Sequence, residues 1–150
     1  MIFLLKTLFK KANLSMKNKN LQLAKEWIIK SQNDLKTAEI LLKENGPTDT
    51  LCFHCHQVAE KALKGFLVFH QREVPKIHDL VMLLNLCKTI DKKIDRFKRG
   101  LASLNKYYIE SRYPPEIIVY SKKDCEKAFK DATNIFQYLI NIIFKKEKLY

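Results

Sequence analysis

Apolar residues return at intervals of three and four along most of the chain, and this spacing predicts helices. Leu21, Ala24, Trp27, Ile28, Leu35, Ala38, Leu41 and Leu42 mark a first helix over about residues 21–44. Asp34 lies close to that stripe, either at its edge or as a buried acid with a partner. Asn45, Gly46 and Pro47 form a stop: two residues that tolerate left-handed backbone, then one that cannot continue a helix. Thr48 or Asp49 is placed to cap a second helix over about 50–70. Its apolar face is Leu51, Cys55, Val58, Ala59, Ala62, Phe66 and Phe69, and its other side carries His54, Gln57, Lys61 and Lys64 in one stripe. Glu60 and Lys64 form a favourable pair one turn apart.

After a connector around Pro75, His78, Asp79 and Leu80 open a short, very apolar helix to about residue 90. A fourth helix is expected over 92–110 from Ile94, Phe97, Leu101, Leu104 and Tyr108, with Lys92, Lys93, Arg96, Lys98 and Arg99 clustered at its start. Arg112, Tyr113, Pro114 and Pro115 break the chain, because proline forbids a helix running through it. Ser121 with Asp124 three residues on is a capping-box signature. A long fifth helix follows to about residue 146, with Ala128, Phe129, Ala132, Ile135, Phe136, Leu139, Ile140 and Ile143 as its stripe. Residues 116–120 are too few to make a convincing strand.

Composition agrees with an all-helical domain. Only 3 Gly and 4 Pro occur in 150 residues, too few for the turns of a sandwich or barrel. One domain of this length has enough apolar material, 47%, for a single core. The formal net charge of +12, from 28 basic and 16 acidic side chains, suits a polyanionic partner: RNA, DNA, nucleotides or an acidic protein. A lysine-rich composition bias explains the excess equally well.

Four cysteines, Cys52, Cys55, Cys87 and Cys125, fall inside apolar periodic segments, so they read as reduced thiols packed as small hydrophobes in a cytoplasmic protein. Zinc ligation by Cys52, His54, Cys55 and His56 fits poorly, because His54 and Cys55 diverge on a helix and no matching second pair exists; neither a metal nor a cofactor is expected. Residues 1–9 are apolar but too short to span a bilayer, and the following lysines are in the wrong place for a signal peptide, so no membrane association is expected. Residues 1–20 read as a basic extension, poorly ordered or helical, with Met1 and Met16 both candidate starts; residues 21–148 form the domain.

The segment Gln57-Val58-Ala59-Glu60-Lys61-Ala62-Leu63-Lys64 resembles the signature of HEPN domains. His78-Asp79-Leu80 is similar to that family's helix start, and Leu104-Asn105-Lys106-Tyr107-Tyr108 with Arg112-Tyr113-Pro114 resembles its "Leu-Asn-x-Tyr-Tyr … Arg-Tyr-Pro" segment. Asp34, Leu35 and Ala38 also fit, and the match spans about 21–144. The resemblance implies a five-helix antiparallel up-and-down bundle, commonly a homodimer, working beside nucleotides or RNA. It also implies, for many members, pairing with a minimal nucleotidyltransferase in a toxin–antitoxin-like system. Other members are metal-independent endoribonucleases using an Arg and a His four to six residues apart.

Arg72 and His78 have five residues between them and meet that spacing. A neutral imidazole can take the proton of a ribose 2′-hydroxyl, and a guanidinium can hold the scissile phosphate through two donors. The bland alternative is that His78 caps a helix or pairs with Asp79. Arg112 can bind phosphate while Tyr107, Tyr108 or Tyr113 stacks on a base, or it can tie the chain break to Glu60 or Asp34. Gln57, Lys61 and Lys64 face either a nucleotide-binding cleft or dimer seam, or simply water. The candidate binding set is thus Gln57, Lys61, Lys64, Tyr108, Arg112 and Tyr113.

Overall fold

A computed structural model describes residues 2–110 and 118–147, with side chains over 14–110 and 118–145. Arg112 and Tyr113 lie outside the described residues. α1 spans Ile2–Lys43, α2 Thr48–Phe69 and α3 Leu80–Lys88. A 3-10 turn, Lys92–Phe97, leads into α4, Lys98–Asn105, then the single turn α5, Tyr107–Glu110, and the long α6, Lys122–Glu147. Among the described residues there is no strand, and the architecture is an antiparallel helical bundle.

α2 is the central element. It packs against α1, α3, α4, α5 and α6, and every residue from Ala62 to Val68 is buried. A helix enclosed on all sides cannot keep a clean polar face, so its ionisable groups need internal partners. α1 lies on it through Ala24, Ile28, Ser31, Asp34 and Ala38, all buried. Gly65 permits the close approach: a Cβ there would sit 3.1 Å from Trp27 Cβ and 3.4 Å from the Ala24 carbonyl. Buried Ser31 donates its hydroxyl to the Val58 carbonyl at 2.7 Å. α6 closes the other side with Ala128, Ala132, Ile135, Phe136, Leu139 and Ile143.

The helix ends follow the sequence with three corrections, the first being that α1 begins at Ile2 rather than near residue 21, so the basic extension is helical and continuous with it. Asn45 takes φ 52°, and the Gly46 amide donates to the Leu41 carbonyl at 2.8 Å, the long closing bond of a Schellman stop. Ser121 and Asp124 form the capping box: the Asp124 amide donates to Ser121 Oγ at 3.1 Å, and the Ser121 amide to Asp124 Oδ2 at 3.3 Å. The expected cap of α2 is different, however. Pro47 occupies the cap position and no side chain caps it. Thr48 Oγ1 instead accepts the Tyr120 amide at 3.0 Å, tying α2 to the segment that enters α6, and Asp49 accepts the neighbouring Thr50 amide.

The expected helix over 92–110 divides into three. Asp91 caps its start by accepting the Lys93 amide at 3.0 Å, and the first turns are wound as 3-10. A second division falls at Lys106, beside Asn105, whose side chain accepts the Leu80 amide at the start of α3. Spacings of three and four suit both helix types, so the pattern could not distinguish them.

Cys52, Cys55, Cys87 and Cys125 are all buried and free. Burial pushes the Cys55 and Cys87 thiols up to about 12. Cys52 and Cys125 bring α2 and α6 together with their sulfurs 4.0 Å apart. No described helix is long and apolar enough to cross a membrane.

Candidate functional site

The connector from α2 to α3 carries both residues of the candidate pair. α2 ends with Gln71 in left-handed backbone, φ 58°. The Gln71 amide donates to the Val68 carbonyl and the Arg72 amide to the Leu67 carbonyl, each at 2.9 Å. This complete Schellman motif fixes the backbone from which Arg72 projects. The Arg72 side chain is exposed, and no described residue hydrogen-bonds to its guanidinium.

At the other end of the connector, Asp79 accepts the amides of Val81 and Met82, each at 2.9 Å. The Met82 amide holds the Asp79 carboxyl below its usual range, as suits a carboxylate at a helix N-terminus. Asp79, not His78, is the cap, so the capping alternative for His78 is set aside. The pairing of His78 with Asp79 also gives way to other partners.

His78 Nδ1 lies 3.0 Å from Glu60 Oε1, and its ring stacks on Tyr108 at 4.4 Å with 13° between planes. The side chain is 49% exposed. Because a carboxylate only accepts, Nδ1 carries the hydrogen, and in the neutral ring the lone pair is then on Nε2. Nε2 has no partner among the described residues. The main chain is fixed too: His56 Nε2 donates to the His78 carbonyl at 3.0 Å. Tyr108 thus neighbours two imidazoles, with the His56 ring centroid 5.2 Å away and tilted by 37°.

Glu60 is the hub of this site. It is 5% exposed and accepts from Lys64 Nζ at 2.8 Å as well as from His78. His56, Glu60 and Lys64 form a ladder one turn apart along α2. Burial drives His56 down to about 4, although the Glu60 charge opposes the shift. Neutral His56 turns a bare Nδ1 toward Glu60 Oε2, 3.7 Å away. Both atoms are buried without a hydrogen-bond partner.

A second polar cluster joins α1 to α2. Asp34 Oδ1 accepts from His54 Nδ1 at 2.8 Å, and Oδ2 accepts from Lys61 Nζ. Burial would raise the Asp34 carboxyl, but His54 and Lys61 outweigh it and hold it below its ordinary value. Asp34 is thus the buried acid with partners.

Sequence-predicted candidates divide accordingly. His78 and Tyr108 meet directly, while Arg72 is brought to the same connector without a bond to His78. Lys64 is 5% exposed and spent on Glu60, and Lys61 is spent on Asp34. A buried, paired ammonium is poorly placed to meet a ligand, so Lys64 serves the site through Glu60. Gln57 is half-buried. Glu60 and His56 were not among the candidates; their signal was the spacing 56, 60, 64, three ionisable residues aligned on a helix face. The Cys52-to-His56 segment scatters its side chains. Both thiols enter the core, His54 turns to Asp34 and His56 to the His78 carbonyl. No group of three metal-ligating side chains forms among the described residues.

Comparison with known proteins gives three findings. The family described as HEPN domain matches residues 24–143. The chain is 27% identical over 143 residues to "Putative toxin MJ1304" of Methanocaldococcus jannaschii, covering 86% of this chain and 92% of that protein. Two solved structures share the fold. TT1696 from Thermus thermophilus has a TM-score of 0.68 at 25% identity, covering 79% of this chain and 96% of that one. ST0689, an archaeal HEPN homologue, has a TM-score of 0.66 at 25% identity, covering 80% and 97%.

Proposed function

Because the chain belongs to the HEPN family, we propose that it is the nucleotide- or RNA-binding helical partner in a toxin–antitoxin-like pair. It acts in the cytoplasm as a homodimer, beside a minimal nucleotidyltransferase. One observation carries this reading: the His78–Tyr108 stack is half open to solvent and sits at the end of a connector that begins with an exposed Arg72, unpaired among the described residues. An aromatic stack can take a base, and a free guanidinium can take a phosphate. The net charge of +12 supports a polyanionic ligand, and the similarity to a protein named as a toxin supports the setting. Arg112, Tyr113, Gln57 and Lys61 complete the proposed binding set. Fluorescence anisotropy with single-stranded RNA and with mononucleotides tests the proposal. Binding should weaken in Arg112→Ala and Tyr108→Ala. A parent chain that binds no nucleotide and no RNA sinks it.

A second reading is favoured by the Glu60–His78 geometry. A carboxylate on Nδ1 leaves Nε2 basic and oriented, which is how an imidazole is prepared as a general base. In this reading the chain is a metal-independent endoribonuclease. His78 Nε2 takes the proton of a ribose 2′-hydroxyl, and the 2′-oxygen attacks the adjacent phosphorus. The 5′-oxygen leaves with a proton, giving a 2′,3′-cyclic phosphate and a 5′-hydroxyl end. Arg72 holds the phosphate and offsets its developing charge. His78→Ala should abolish RNA cleavage and growth inhibition while leaving the circular dichroism spectrum intact. Cleavage that survives in that variant removes this reading and leaves the binding module standing.

A further inference from the structure

The basic cluster at the start of α4 is not used by the His78 site, and it borders a pocket. Arg96, Phe97, Gly100, Leu101, Asp131 and Asn134 enclose about 290 Å³ between the 3-10 turn, α4 and α6. That is just below the ~300–1,000 Å³ of ordinary ligand pockets, which suits a single ring system.

Its parts are held in place. Tyr138 donates its hydroxyl to Asp91, the residue that caps the 3-10 turn. The Arg96 guanidinium lies over the Tyr138 ring at 4.4 Å and near the Phe97 ring at 4.8 Å. Arg96 is exposed, so its guanidinium is open to solvent while it rests on these rings. A guanidinium plane is a good stacking surface for a nucleobase. The same pocket is lined by a carboxylate, Asp131, and an exposed amide, Asn134. Lys127 fixes the carboxylate through Oδ2 at 3.0 Å. Gly100 lies close against this carboxylate, and its missing Cβ is what lets α4 and α6 approach there: a Cβ would sit 3.1 Å from both Asp131 Cγ and Oδ1. Lys93, Arg96 and Arg99 recur every third residue, are all exposed, and offer charge for phosphates on the rim.

We infer that this pocket binds a guanine base, of a free nucleotide or of an RNA strand, with its ring on Arg96, its N1–H and N2 amine on Asp131, and its phosphate on the basic rim. A carboxylate suits guanine, whose edge presents two adjacent donors. Adenine presents an acceptor there, and uracil only one donor between two carbonyls. The inference rests on the nucleotide-binding reading and supplies its base preference, at a site separate from His78.

The test is calorimetric titration of the full chain with GMP, IMP, AMP and CMP, followed by competition with G-containing and G-free single-stranded RNA. GMP should bind about tenfold or more above the others, including IMP, which lacks the N2 amine. Asp131→Asn should erase that preference. Asn134→Ala, at an exposed position, provides a second variant expected to weaken GMP without changing the fold. Preference for GMP alone points to the free nucleotide, and preference for G-containing RNA points to the strand. Equal binding of all four nucleotides, or an unchanged preference in Asp131→Asn, overturns the inference. RNA binding without guanine preference overturns it alone; absence of any nucleotide or RNA binding overturns the module reading as well.

Discussion

His56 gives the molecule a defined response to acid. In the unfolded chain its imidazole titrates near the ordinary 6.5, whereas in the core it does so at about 4. Between those values the unfolded state binds the proton and the folded state does not. Stability from this group is therefore complete above pH 6.5 and is lost as pH falls toward 4. A shift of this size corresponds to a loss on the order of 3 kcal/mol. Urea midpoints measured from pH 7 to 4 should show this slope. His56→Gln, which keeps a donor for the His78 carbonyl, should flatten it. The cysteines make a second residue-scale expectation. With Cys55 and Cys87 raised to about 12 and buried, neither should react with iodoacetamide at pH 8 until the chain unfolds, as mass spectrometry can read. The apolar pattern predicted their burial, since thiols within a stripe behave as hydrophobes. It could not reveal the His56–Glu60–His78 network, which spans α2 and the connector and depends on the fold.

Within single elements, the helix ends hold the most accessible stability. Gln71 occupies a left-handed position that glycine adopts without a Cβ penalty. Gln71→Gly should stabilise the chain by about 0.5–1 kcal/mol in thermal melts, provided the Schellman bonds persist. Ser121→Ala removes half of the α6 capping box and should cost about 1 kcal/mol. The box was legible because both of its residues are neighbours in sequence. The Pro47 cap was not, since Thr48 is claimed by Tyr120, 72 positions away. Likewise the stripe of Ile94, Leu101 and Leu104 revealed a buried face but not where the backbone divides, because Asn105 is engaged by α3.

For the whole molecule, enclosure of α2 decides what its charges do. Lys64 and Glu60 are both nearly dry, so removing Glu60 strands Lys64, and removing Lys64 leaves the Glu60 charge with His78 alone. Lys64→Ala and Glu60→Ala should each destabilise by about 3 kcal/mol, and the double variant by clearly less than their sum. Additive effects in a denaturant double-mutant cycle would refute that coupling. From sequence the helical bundle and its family were readable, since stripe, stop and cap are local features. The direction of the polar side of α2 was not, because α1 covers it with Asp34 and Trp27. The bond from the Leu80 amide to Asn105 has a consequence of its own. First-turn amides of a helix ordinarily exchange with solvent freely, and those of Val81 and Met82 are guarded only by Asp79, two and three residues away. Leu80 instead leans on another helix. In deuterium oxide its hydrogen should outlast theirs, registering how often α3 and α4 part rather than how often one turn frays.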